Sequence, residues 1–105
     1  MNKLCDECLK AITFNLNQQE ILLLTNMIKN HIITPQLAID EVKMISMVKG
    51  LSPYKIKYII QRFLVTSLIS SIKHGTTKYY VTENGKRLIE LYMKETSKML
   101  NEKIN

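Results

Sequence analysis

The sequence predicts a mainly α-helical domain carrying one small β-hairpin, and three observations predict it. Apolar residues recur at helical spacing along most of the chain, and the period falls towards two only from Leu68 to about Val81. Glycine and proline are scarce, at 3 and 2 of 105 residues, which disfavours a turn-rich all-β fold. The length suits a single domain spanning residues 1–105, with room for one core but hardly for a core plus a deep catalytic cleft.

The first helix is expected from about Asp6 to Phe14, with Leu9 and Ile12 inward and Cys5 and Cys8 beside them. Asn17 is then an N-cap, and Glu20 three residues on completes a capping box. The helix it opens buries Ile21, Leu24, Thr25 and Ile28, spaced i, i+3, i+4, i+7. Ile32-Ile33 reads as a short β segment. Thr34 and Pro35 are N-cap and first residue of a third helix, with Ala38, Val42, Ile45 and Val48 inward and Gly50 as its stop.

Ser52 and Pro53 open a fourth helix at once, running to about Thr66 on an apolar stripe of Ile56, Ile59, Ile60, Phe63 and Leu64. Two helices joined by a Gly-containing turn make a helix-turn-helix, although the third helix and its turn look longer than a minimal motif. Leu68, Ile69 and Ile72 lead to the tip Lys73-His74-Gly75-Thr76-Thr77, and Tyr79-Tyr80-Val81 return as the second strand. Thr82 caps a last helix through Gly85, Leu88, Ile89 and Tyr92 to about Lys103. This order is that of a winged helix-turn-helix with a long C-terminal helix.

Charge distribution says more than total charge. The chain carries 15 Lys plus Arg against 9 Asp plus Glu. From Lys49 to Arg87 there are eight basic residues and one acid, Glu83, so the remainder has seven basic and eight acidic residues. The whole excess falls on the fourth helix, the hairpin and the start of the last helix, a footprint that suits double-stranded DNA. With Ile56, Ile59, Ile60 and Phe63 inward, the outer face of the fourth helix is Tyr54, Lys55, Lys57, Tyr58, Gln61 and Arg62. Its N-terminal end, with Ser52, Tyr54, Lys55 and Tyr58, is the part expected at base edges, while Lys57 and Arg62 suit phosphates. In the hairpin, Lys73, His74, Thr76, Thr77 and Lys78 are placed to follow a neighbouring backbone or minor groove.

The expectation is of a binding protein and not an enzyme. There is no Gly-rich phosphate loop, no paired carboxylates in an apolar setting, and no Ser or Cys with an identifiable base. No cofactor is expected. Cys5-x-x-Cys8 has the spacing of half a zinc site, but His31 and His74 are poorly placed to complete it, so no metal is expected. The six Met residues read as core filler. From the start MNKLCDEC neither a signal peptide nor a membrane span is expected, and the longest apolar stretch, Ile21 to Leu24, is too short for one. A cytoplasmic protein with reduced cysteines and no membrane partner is expected. Along the last helix, Leu88, Ile89, Tyr92, Met93, Met99 and Leu100 form an apolar band suited to the first helix or to a second subunit, so a homodimer is expected.

The segment SIKHGTTKYYVTENG, Ser71 to Gly85, resembles the wing and final-helix start of bacterial winged helix regulators. Size and helix order are similar to the TubR family, the centromere-binding proteins of tubulin-type (type III) plasmid and phage partition systems. The resemblance implies a dimer that binds iterated centromere sites cooperatively. Paired recognition helices would enter DNA around Ser52 to Lys55, with Lys73 to Lys78 of the wing alongside. It further implies recruitment of a tubulin-like GTPase and repression of the protein's own operon. The competing readings are a transcriptional repressor of the same fold without a segregation role, and a winged helix used only for protein–protein contact.

Overall fold

The structure is a computed structural model describing the backbone of residues 3–104; the side chains of His74 and of residues 99–104 lie outside the described set. Helix α1 (Asp6–Phe14) is followed by α2 (Gln18–Lys29), a 3-10 turn (Pro35–Leu37), α3 (Glu41–Ser46) and α4 (Pro53–Val65). Strands β1 (Ile69–His74) and β2 (Thr76–Val81) then form an antiparallel hairpin, and α5 (Glu83–Ile104) closes the chain. This is the winged helix-turn-helix arrangement, with its core among the helices and the base of the hairpin.

The capping box at α2 forms as expected: Asn17 Oδ1 accepts from the Glu20 amide at 2.8 Å, and Glu20 Oε1 accepts from the Asn17 amide at 3.0 Å. The buried face is rotated by one residue from the expected one. Glu20, Leu23, Leu24 and Met27 are buried, while Ile21, Thr25 and Ile28 are only half-covered. The rotation turns Glu20 inward towards Arg62, a polar anchor that hydrophobic periodicity does not report.

Helices α2 and α4 end in the same way. His31 and Ser67 take left-handed conformations, with φ of 61° and 60°. Ile32 and Leu68, the residues after them, donate back to Met27 and Phe63 at 2.9 Å each. These are Schellman closures, each sealed by a buried apolar residue just past the turn.

The expected third helix breaks in two. After the Pro35–Leu37 turn, Ala38 is extended, and Ile39 pairs with Tyr79 through hydrogen bonds of 2.9 and 2.7 Å. Asp40 then caps α3 by accepting from the Lys43 amide at 2.9 Å. The chain thus supplies β2 with an outer partner that a continuous helix would have denied it. The β segment expected at Ile32-Ile33 is replaced by the bridge at Ile39, although the Ile32 carbonyl still accepts from Val81. Val42, expected inside, is 75% exposed, and Met44 fills the core instead.

The turn between α3 and α4 is tied to α2. Asn26 Nδ2 donates to the Met47 carbonyl at 2.8 Å and Gln19 Nε2 to the Lys49 carbonyl at 3.4 Å, with Gly50 at φ 88°. Thr82 caps α5: its hydroxyl accepts from the Gly85 amide and donates to the Ser67 carbonyl at 2.6 Å. The N-terminal segment docks on the same helix. Leu4 donates to Asn84, while Arg87 donates to the Leu4 carbonyl and pairs with Asp6. Among the described residues, no helix is long and apolar enough to cross a membrane.

Candidate nucleic-acid interface

Helix α4 is divided along its length. Ile56, Ile59, Ile60 and Phe63 are buried, whereas Tyr54, Lys55, Lys57, Tyr58 and Gln61 are exposed. Ser52 Oγ accepts from the Lys55 amide at 3.1 Å, so this hydroxyl fixes the start of the helix. The outward residues Tyr54, Tyr58 and Gln61 fall on one face at i, i+4, i+7, with Lys55 and Lys57 flanking it. This face continues from an exposed turn that also carries Lys49. Lys49 was absent from the residues expected at the site because it precedes the helix; the only signal for it was its place in the basic segment.

Arg62 departs from the outward set. One guanidinium nitrogen lies 3.4 Å from Glu20 Oε1, the other donates to the Asn15 carbonyl at 2.8 Å, and the group stacks 5.7 Å from the centre of the Tyr58 ring. It thereby holds the C-terminal half of α4 to the α1–α2 junction.

In the hairpin, Lys73 stands opposite Thr77, and Ile72 opposite Lys78. Gly75 makes the tip with φ 76°, and Lys73, Thr76 and Thr77 are exposed. Lys78 is half-buried beside Pro35, Gln36, Ala38 and Ile72, which line a shallow open recess. The backbone of His74 pairs with Thr76, while its side chain lies outside the described residues. Nearer the hairpin base, burial and the nearby Glu41 carboxylate push the Tyr79 phenol above its ordinary pKa.

The ion pairs sharpen the charge reading. Of the eight cations from Lys49 to Arg87, Arg62 pairs with Glu20, Lys86 with Glu83, and Arg87 with Asp6. Among the described residues, Lys49, Lys55, Lys57, Lys73 and Lys78 make no ion pair. Unneutralised charge therefore gathers on the α3–α4 turn, the outer face of α4 and the wing.

The other expected surfaces are partly redistributed. Leu88 and Ile89 are 0% and 4% exposed within the chain's own core, so neither is available to a second subunit. Tyr92 and Met93 are exposed, and the side chains of Met99 and Leu100 lie outside the described residues. Tyr92 joins Leu91, Thr13 and Phe14 in an apolar groove of about 400 Å³ between α1 and α5. Phe14, expected only as a helix end, is 90% exposed. Cys5 and Cys8 are exposed, and Cys5 is the N-cap of α1, not an inner-face residue. Among the described residues no group of three or more His, Cys, Asp or Glu could hold a metal ion.

No family model matches the chain, and no curated protein matches it. Two solved structures do. TubR from Bacillus megaterium pBM400 superposes with a TM-score of 0.75 at 15% identity, covering 84% of this chain and 98% of that one. The DNA-binding TubR fragment from Clostridium botulinum gives a TM-score of 0.62 at 23% identity, covering 73% of this chain and 96% of that one. At these identities the likeness is one of fold.

Proposed function

We propose that this chain is a duplex-DNA-binding partition adaptor, its domain comprising residues 1–105 and acting as a homodimer. The observation that carries this reading is the set of unpaired lysines bordering the exposed face of α4 and extending into the wing. A helix of this width fits the B-DNA major groove, and its exposed Tyr54, Lys55 and Tyr58 are positioned for base edges. Lys49, Lys57, Lys73 and Lys78 supply cationic contacts for phosphates, with Thr76 and Thr77 as polar partners on the wing. Arg62 acts through the fold and not on DNA.

The likeness of fold to two TubR structures, one of them a DNA-binding fragment, supports the segregation role. In that role the dimer occupies repeated centromere sites, recruits a tubulin-like GTPase and represses its own operon. Footprinting on the DNA flanking the protein's own gene tests the proposal. Protection of an extended repeat array is the expected result. A single protected palindrome would leave a repressor without segregation function, and no protection at low salt would overturn DNA binding altogether.

A further inference from the structure

Cys5 and Cys8 are absorbed by neither the core nor the DNA-binding face. Cys5 takes the N-cap position of α1, with φ −76° and ψ 162°, and Cys8 lies one turn on. The Cys5 sulfur accepts from the Cys8 amide at 3.3 Å, and the two sulfurs stand 2.8 Å apart. Both residues are exposed. The segment is held in place by the contacts of Leu4 with Asn84 and Arg87, and by the Arg87–Asp6 pair. Two thiols are thus juxtaposed on an ordered helix start within reach of solutes.

We propose that Cys5 and Cys8 form a dithiol site that reacts with soluble disulfides and closes to an intramolecular Cys5–Cys8 bond. A disulfide needs the sulfurs at about 2.05 Å, a short step from their present separation. Thiolate ligands of a tetrahedral zinc, each about 2.3 Å from the metal, would have to stand much further apart. The arrangement therefore favours sulfur–sulfur chemistry over half a metal site.

The two cysteines have different parts. The side-chain hydrogen bond with Cys8, then the one that the Cys5 sulfur accepts from the Cys8 amide, hold the Cys5 pKa below its ordinary value. The same thiol contact, followed by desolvation and the neighbouring Cys5 charge, pushes Cys8 up. Cys5 is the attacking thiolate, its proton having passed to solvent. It bonds to one sulfur of the disulfide substrate, whose S–S bond breaks and releases a thiolate that takes up a proton. Cys8 then loses its proton and attacks the Cys5 sulfur, expelling the second substrate thiol. Two protein thiols are oxidised and one substrate disulfide is reduced to two thiols. The product is a covalent cap on α1.

Glutathione disulfide, mixed with reduced glutathione at graded ratios, tests this on the full chain by intact mass after alkylation. The wild type is expected to lose two hydrogens, carry no adduct, lose both alkylatable thiols and recover them with dithiothreitol. Cys8→Ser is expected to accumulate one glutathione on Cys5, and Cys5→Ser to form no intramolecular bond under the same conditions. Serine preserves the cap at position 5, so this variant keeps its fold. A wild type that ends as a stable glutathione adduct or a cross-linked dimer would overturn the proposal. So would a wild type that keeps both alkylatable thiols at every ratio.

Discussion

Gly85 and the carbonyl oxygen of Leu68 lie so close that a Cβ at position 85 would stand 2.4 Å from that oxygen and 2.6 Å from Val81 Cγ1. The first turn of α5 rests directly on the α4–β1 connection, where Thr82 also donates to Ser67. The start of α5 from Thr82 to Gly85 therefore has two physical parts, a cap and a close approach. Gly85→Ala should force the helix away from the hairpin base and cost about 3 kcal/mol, lowering Tm by roughly 15 °C. Thermal unfolding followed by circular dichroism checks this. A loss no larger than that of an exposed control such as Lys94→Ala would show that the contact relaxes freely.

The Schellman closures at His31 and Ser67 place non-glycine residues at φ near 60°. Left-handed backbone costs such residues about 1 kcal/mol relative to glycine, partly offset by glycine's greater unfolded-state entropy. Ser67→Gly and His31→Gly should each stabilise the protein by about 0.5 kcal/mol. Urea unfolding should show the midpoint rising with an unchanged slope. A fall in both midpoints would mean that these side chains contribute more than the backbone strain costs.

Arg62→Met separates structural from DNA-binding roles for the cation of α4. Glu20 is 1% exposed, and its Oε2 is buried without a hydrogen-bond partner among the described residues. Removing the guanidinium leaves Glu20 with less compensation, at a cost of about 3 kcal/mol. Glu20→Gln should recover part of this loss in the double variant. Once corrected for the folded fraction, DNA affinity and its salt slope should match the wild type. On the proposed dimer, a slope lowered by about 2 would return Arg62 to the phosphate contacts.

The parts of this fold legible in the sequence were those whose signal is local. The capping box at Asn17, the Ser52-Pro53 start, the stripe from Ile56 to Leu64 and a hairpin turning about Gly75 each depend on neighbouring residues, and each formed, although the strands run further into the expected five-residue tip, with Lys73 opposite Thr77. The break at Ala38–Ile39 was not legible, because its cause is the distant edge of β2 at Tyr79. Helix α2 kept its start but turned its face, since the inward position of Glu20 depends on Arg62, 42 residues on. The site divides likewise: alternation along α4 gave its exposed face, but only tertiary pairing distinguishes Arg62 from the free lysines. Leu88 and Ile89 carry the same pattern as Tyr92 and Met93. Contact with the rest of the chain places the first pair inside.

That distinction makes the dimer testable. Met93→Lys alters a residue 50% exposed on α5, whereas Leu88→Ala opens a cavity in the chain's own core. If the α5 face is an interface, Met93→Lys should shift sedimentation at tens of micromolar towards monomer, with secondary structure retained. Leu88→Ala should instead cost about 3 kcal/mol of stability. A wild-type protein that sediments as a monomer would remove the dimer from the proposed function.

Lys55 and Lys73 lie on the two elements that the proposed function brings to DNA, and both are exposed without ion pairs among the described residues. If both contact DNA phosphates, charge reversal at either position removes one released counterion per protomer and adds repulsion. On a dimer, the slope of log K against log salt should fall by about 2 for each variant. Lys55→Glu, at the groove end of α4, should also narrow the gap between specific and random DNA if it reads a base. Lys73→Glu on the wing should weaken both alike, as a phosphate contact does. Gel-shift titrations at several salt concentrations, with specific and random duplexes, measure both effects. Unchanged binding in Lys55→Glu would remove α4 as the recognition helix, and unchanged binding in Lys73→Glu would remove the wing from the interface.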